Sequence, residues 1–232
     1  MLVSVFFAFQ ANVAFNDIAD KKSDSESNKK RPLVQNIVSG EEYKIIGIAE
    51  AGLSLGLAFA ISYNVFVFIL CSLGLGFIYS MPPIRLKRFG IVSTFALSMV
   101  SLLWLFAGYF AAGAENISGF PISTALFVIF FITLSFNAKD LKDIEGDRKE
   151  GIKTIPVVFG EKKARKIIGL LIIASYLLAP LYLGLDFMVF VPLSIGFALA
   201  NWILIVKLEK NEKPVLYIYF IFVLIAAASF LT

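Results

Sequence analysis

The chain has 232 residues, 59% of them hydrophobic, with a mean hydropathy of +0.83 and a formal charge of +4, a composition that excludes an ordinary soluble domain and points to a multispanning membrane protein. Histidine is absent and the one cysteine, Cys71, lies in an apolar run, so there is no internal disulfide and haem, zinc and Ser-His-Asp chemistry are disfavoured. The basic residues lie between apolar runs, where bilayer topology and contact with anionic lipid or phosphate explain them better than nucleic acid, which is not expected as a partner.

In chain order the apolar segments are 1–15, 45–62, 64–80, 91–113, 121–137, 166–184, 187–206 and 215–232. Most have the length of about 20 residues that a bilayer core requires. They predict an all-α bundle of eight membrane helices. All 21 Lys and Arg residues fall in 16–44, 85–88, 139–166 and 207–213, and none falls near Ser62–Asn64, Glu115–Phe120 or Gly184–Asp186. Basic loops concentrate on the cytoplasmic side, so these four stretches are expected inside, with the C-terminus outside, in the plasma membrane.

The first segment includes Gln10 and Asn12 and lacks both a positive n-region and a small-x-small cleavage site, which argues against a signal peptide. The polar loop after it opens with Asn16-Asp17-Ile18-Ala19-Asp20-Lys21-Lys22-Ser23-Asp24 and contains Arg31-Pro32. Its first turns are expected to extend the preceding helix until Pro32 ends that element. Asp17, Asp20 and Asp24 recur at i, i+3 and i+7, which on a helix fall at about 0°, 300° and 340° and present three carboxylates on one face.

Glu50, inside an apolar segment, is either a site residue or a snorkelling one. Gly47, Gly52 and Gly56, with Ala107, Gly108, Ala111 and Ala112, predict close helix contacts. A tight helical hairpin is expected at Ser62-Tyr63-Asn64, and helix 64–80 should stop at Met81-Pro82-Pro83, just before Arg85, Lys87 and Arg88.

After 121–137 the carboxylate spacing returns in Asp140, Asp143 and Asp147. Gly151, Pro156 and Gly160 break loop 148–165 into short pieces, leaving room for a small structured cap. Four spans separate the two trios, an even number that requires them to face the same compartment. Hard cations take oxygen ligands, keep some of their waters and bridge to phosphate oxygens, so two such trios could hold a magnesium-diphosphate.

These residues resemble the UbiA superfamily of intramembrane prenyltransferases. Its first motif, Asn-Asp-x-x-Asp-x-x-x-Asp, is met by Asn16, Asp17, Asp20 and Asp24, with Arg31-Pro32 following. Its second is met by Asp140, Asp143 and Asp147, with Gly151, Thr154, Pro156 and Gly160 also matching, and Tyr79-Ser80-x-Pro82-Pro83-x-Arg85-Leu86-Lys87 is similar to the family's middle loop. The likeness covers nearly the whole chain as one membrane domain, 1–232. It implies nine spans where eight are counted here, so that the first transmembrane helix is expected to be lacking.

The resemblance implies Mg²⁺-dependent transfer of a prenyl group from an allylic isoprenoid diphosphate to an aromatic, tetrapyrrole or lipid acceptor, in a bundle whose site opens to the cytoplasmic face. Asn16, Asp17, Asp20, Asp24, Asp140, Asp143 and Asp147 would be the metal ligands, with Asp20, Asp24, Asp143 and Asp147 also catalytic. Lys21, Arg31, Arg85 and Lys87 would clamp the diphosphate or, equally, set topology. Tyr79 would steady an allylic cation, or anchor the helix in the aromatic belt. Two rival classes are a cation-coupled transporter, which would want carboxylates near the midplane, and another phosphate-handling membrane transferase such as a CDP-alcohol phosphatidyltransferase. The latter's Asp-Gly…Ala-Arg signature precedes neither trio.

Overall fold

The computed structural model describes residues 1–27, 30–183, 186–210 and 212–228, so Gly184 and the last four residues of segment 215–232 lie outside the described residues. The described residues are helical: α1 (Leu2–Ser27), α2 (Gly40–Ile61), α3 (Tyr63–Ser80), α4 (Gly90–Ala111), α5 (Ile122–Ser135), two short helices α6 (Ile144–Lys149) and α7 (Ile155–Phe159), then α8 (Glu161–Leu183), α9 (Phe187–Trp202) and α10 (Glu212–Ala228). Seven helical stretches have the length and apolarity to cross a membrane, two of them because α5 is continued to Leu141 and α9 to Lys207 by tighter or wider turns; the eighth long helix, α10, has 17 described residues. Their outer faces carry exposed apolar side chains such as Phe6, Phe59, Leu170 and Leu224, as lipid-facing surface requires. The chain is a multi-pass integral membrane protein.

It divides into two compact units, Met1–Lys87 with Met99–Phe120, and Arg88–Ser98 with Pro121–Thr232, so that α4 begins in the second and ends in the first. In the first unit α1 packs on α2 through small and hydroxyl residues. The Ser4 hydroxyl donates to the Ser54 carbonyl at 2.8 Å and the Ser54 hydroxyl returns a bond to the Ser4 carbonyl at 2.7 Å. Both serines are buried, and mutual bonding satisfies them where no water is at hand. Gly47 is a true close contact, because a Cβ there would lie 3.1 Å from that of Ala14. Gly52 and Gly56 do not make the contacts expected of them: both are exposed, and Ser54 and Ala58 take the buried positions. Ala107 is buried in the same core, whereas a Cβ on Gly108 would meet nothing.

Local chemistry sets the helix ends. The Ser39 hydroxyl accepts from the Glu42 amide at 3.2 Å and the Glu42 carboxylate accepts from the Ser39 amide at 2.8 Å, a capping box that starts α2 and fixes Tyr43 in its first turn. Ser62 alone links α2 to α3 and caps the latter through its hydroxyl, accepting from the Val65 amide at 3.2 Å. α3 stops at Met81, ahead of the two prolines, as expected.

The second unit closes round an aromatic core. Phe131 stacks on Tyr219 at 5.0 Å and meets Tyr176 edge-on at 5.2 Å, with Phe222 4.9 Å from Tyr176. α7 is a small structured piece of the kind expected between 148 and 165; α6 ends as that stretch begins, and α8 starts within it at Glu161. Gly90 has φ +32° and lies against this loop: the Lys153 amide donates to the Arg88 carbonyl at 3.1 Å, and a Cβ on Gly90 would come within 2.9 Å of the Lys153 carbonyl oxygen.

Candidate active site

The first trio sits on the last three turns of α1, and the helical expectation holds there: Asp17, Asp20 and Asp24 all take cationic partners from the same unit. Asp17, 1% exposed, accepts from Arg31 Nη1 at 3.1 Å and from the Tyr43 hydroxyl at 3.2 Å. Arg31 also reaches Asp24, with Nε 3.9 Å from Oδ2. Arg85 Nη2 donates to Asp20 Oδ1 at 2.8 Å, and Lys87 Nζ donates to the same oxygen. Asn16, one residue before Asp17, donates to the Ser80 hydroxyl at 3.1 Å, which ties the end of α3 to α1; Tyr79, the residue before Ser80, is half-buried.

Three of the four expected clamps, Arg31, Arg85 and Lys87, are therefore in contact with the trio. Lys21 is exposed, and no ion pair joins it to a described acidic residue. Glu50 is half-buried on α2, and no ion pair joins it to a described basic residue. Arg85 is 7% exposed and takes φ +48°, a left-handed conformation that costs a non-glycine residue about 1 kcal/mol. That backbone turn directs the guanidinium into the acidic cluster.

The second trio departs from the one-face helix. Asp140 lies in a tight 3₁₀ stretch, Phe136–Leu141; Asp143 has φ −110° and ψ 17° at the break before α6; Asp147 lies on α6. The cause is Asn137, whose side-chain amide donates to the Thr133 and Leu134 carbonyls at 2.8 and 3.1 Å and so caps the end of α5. Asp140 is 4% exposed and accepts from Lys139 Nζ at 2.6 Å, while Lys139 also approaches the Ser93 hydroxyl at 3.3 Å. Thr154 donates to Asp147 at 3.2 Å, and Lys142 pairs with the buried Glu212 of α10 at 3.5 Å. Burial pushes the Asp143 carboxyl above its ordinary range. Burial, helped by the charge of Asp140, pushes Asp147 up to about 6.

Among the described residues no three His, Cys, Asp or Glu side chains converge to form a closed metal site. Neighbouring carboxylates repel, and each trio instead engages the chain's own cations. The donor chemistry nevertheless fits Mg²⁺: it is all oxygen, and Asp17 Oδ1 and Asp140 Oδ2 are buried without a hydrogen bond, although Asp17 Oδ1 lies 3.0 Å from Arg31 Nη1. A buried carboxylate oxygen that accepts nothing is costly, and a hard cation is one partner able to satisfy it.

Sequence reasoning gives no role to Tyr43 or Lys139, and names Ser80 only within the middle-loop match. Nothing in the spacing ties Tyr43 or Ser80 to the first trio, because they reach α1 only through the packing of α2 and α3. Lys139 carried a signal in its position immediately before Asp140, but it was counted only as a loop charge.

Comparison with known proteins places these features. The UbiA prenyltransferase family matches residues 1–229. The chain is 26% identical to the digeranylgeranylglyceryl phosphate synthase of Pyrococcus horikoshii over 214 residues, 90% of this chain and 75% of that protein. It is 31% identical to the synthase of the same name from Sulfolobus acidocaldarius, over 74% of this chain and 61% of the relative. It is 35% identical to the bacteriochlorophyll synthase 33 kDa chain of Rhodobacter capsulatus, over 66% and 52%. The chain thus spans less than two thirds of the last two. Among solved structures, a UbiA homologue from Archaeoglobus fulgidus bound to GPP and Mg²⁺ superposes with a TM-score of 0.75 at 25% identity, covering 99% of this chain and 84% of that one. An apo homologue from Aeropyrum pernix K1, 20% identical over 99% and 86%, has a TM-score of 0.74 and shares the fold.

Proposed function

The chain belongs to the UbiA prenyltransferase family, and from that premise we propose that it transfers a prenyl group, within the membrane, from an allylic isoprenoid diphosphate to a hydrophobic acceptor. The observation that carries this reading is the Asp17–Asp20–Asp24 trio, with Asp17 buried and the other two half-buried, surrounded by Arg31, Arg85 and Lys87, which offers both hard oxygen ligands and diphosphate-binding cations from one cluster. The Archaeoglobus homologue's bound GPP and Mg²⁺ support it.

Asn16, Asp17, Asp20 and Asp24, and Asp140, Asp143 and Asp147, would hold magnesium. When bound, the ion supplies positive charge to the diphosphate oxygens. Arg31, Arg85 and Lys87 exchange carboxylate oxygens for diphosphate oxygens and neutralise charge as it grows on the leaving group, stabilising a dissociating transition state. Lys21, exposed one turn beyond Asp17, adds charge without a held contact. The carbon–oxygen bond to the diphosphate breaks with its electron pair leaving on oxygen, the acceptor's nucleophilic atom then bonds to the allylic carbon, and the proton that atom carried passes to the released diphosphate. Tyr79 presents a π face to the cation in the interval. Apolar helices keep water from quenching it.

The acceptor is aromatic, tetrapyrrole or a glycerol phosphate lipid, and the motif loops face the cytoplasm in the plasma membrane, a sidedness supported by the clustering of all 21 basic residues. The deciding experiment incubates purified protein in lipid with radiolabelled geranylgeranyl diphosphate, Mg²⁺ and a panel of the three acceptor classes. Radiolabel in one acceptor, lost with EDTA and regained with Mg²⁺, supports the reading. Transfer to none of them overturns it.

A further inference from the structure

A separate cluster of charge occurs in the second unit, where the first turns of α8 meet the end of α9. Lys162, Lys163, Arg165, Lys166, Val206 and Glu209 line a cavity of about 230 Å³ there. Arg165, 5% exposed, builds its floor: Nε and Nη2 donate to Glu161 Oε1 at 3.0 and 2.7 Å, while Nη1 donates to the backbone carbonyls of Ile205 and Lys210 at 3.4 and 3.0 Å. These carbonyls belong to the π-turn Ile203–Lys207 and the segment after it, where Glu209 takes φ +50°. The guanidinium ties the two helices together, and its charge is answered by Glu161.

Three lysines remain. Lys162 and Lys166 are four apart on α8 and Lys163 and Lys166 three apart, so they are surface neighbours whose like charges repel. All three are exposed, no ion pair joins them to a described acidic residue, and Glu209 is the single carboxylate among the lining residues. At about 230 Å³ the cavity is smaller than the roughly 300–1,000 Å³ of pockets for drug-sized ligands, a volume suited to a compact anionic group. Apolar surface runs directly away from it: Val206 lines the wall, exposed Leu170 continues the lysine stripe one turn along α8, and Ile203 is exposed on the facing turn. Basic side chains beside a lipid-facing apolar surface complement a molecule with an anionic head and hydrocarbon tails.

We propose that this cavity binds the headgroup phosphate of an anionic phospholipid through Lys162, Lys163 and Lys166, with the acyl chains lying along Leu170 and Ile203. The apolar continuation favours a lipid over free phosphate.

Trp202 is a built-in reporter, since it packs beside Val206 at Gly169, where a Cβ would come within 2.8 Å of the indole. In a Trp104→Phe background Trp202 is the only tryptophan. Delipidated full-length protein is titrated in neutral micelles with phosphatidylglycerol or phosphatidylcholine brominated on the acyl chains, and quenching of Trp202 is followed. Phosphatidylglycerol should quench at a much lower mole fraction than phosphatidylcholine. That preference should weaken about a hundredfold in K162Q/K163Q/K166Q, weaken partially in Lys166→Gln alone, and persist in a control triple variant at exposed Lys30, Lys44 and Lys153. The single variant keeps the test decisive if the triple does not fold. Equal quenching by the two lipids, an unchanged preference in Lys166→Gln, or an equal loss in the control variant overturns the proposal. Full relief of quenching by inorganic phosphate at millimolar concentration assigns the cavity to a soluble anion and overturns it as well.

Discussion

Arg85 and Asp20 are 65 positions apart in sequence, yet the guanidinium Nη2 donates to the carboxylate Oδ1 at 2.8 Å, and Lys87 converges on the same oxygen. Arg85 is almost wholly buried, so its removal strips a charged partner from Asp20 in a dry setting. Arg85→Ala is expected to cost about 2 kcal/mol. Lys87→Ala should cost less, because Arg85 stays bound. Thermal unfolding in a neutral detergent measures both, and equal, negligible losses would show that the pairing is incidental.

The proposed magnesium and diphosphate roles give the trios a common test. Asp20→Asn and Asp143→Asn keep side-chain size but remove the charge, and each should lower turnover by about 10³-fold or more while the protein still expresses and inserts. Glu145→Gln, exposed beside the second trio, should leave turnover within about twofold. Near-normal rates for both Asp variants at saturating Mg²⁺ would remove the trios from the chemistry.

Asp147 predicts a pH dependence with a definite sign. Its carboxyl is raised from 3.8 to about 6, so the folded chain holds a proton there that the unfolded chain releases near 3.8. The stabilisation from that proton is fully present below 3.8 and is lost as pH rises through about 6. A cation must compete with the same proton. Mg²⁺ affinity measured by calorimetry should therefore rise with pH up to and through about 6 and then level off, and Asp147→Asn should flatten the rise. A steep increase retained in that variant assigns the titration elsewhere.

Gly76 on α3 faces Asn12 on α1, and a Cβ at this glycine would lie 2.2 Å from Asn12 Oδ1. Gly76→Ala should destabilise the protein by about 1–3 kcal/mol through overpacking. The double variant Asn12→Ala/Gly76→Ala should recover much of that loss. A double variant no better than the sum of the singles would mean that the two positions are not coupled.

The proposed sidedness is read by thiol labelling. In a Cys71→Ser background, cysteines placed at Lys87 and Lys149 should be protected from an impermeant reagent applied to intact cells, and one at Asn116 should react. Labelling of the Lys149 position from outside would invert the orientation.

Much of the protein can be read along the chain, because the demands of a bilayer are local. Twenty or so apolar residues make a span wherever they occur, Ser39 and Glu42 cap their helix through neighbours, and the prolines after Met81 stop α3 without outside help. The acidic spacing could be read for the same reason, as could the short structured piece within loop 148–165. What spacing could not convey is which charges meet. The i, i+3, i+7 pattern assumes one unbroken helix, which α1 supplies for Asp17, Asp20 and Asp24, but at Asp140–Asp147 the side chain of Asn137 ends α5 and replaces the helix with a tight turn and a break. Arg31, Arg85 and Lys87 look alike as loop cations beside Lys21, and only the docking of α2, α3 and their loops on α1 separates the three that pair from the one that stays exposed. The same docking carries the Tyr43 hydroxyl to Asp17. Ion pairs and close glycine contacts between residues distant in sequence are set by side-chain approach across helices, to within an ångström, and tertiary packing alone fixes distances that fine.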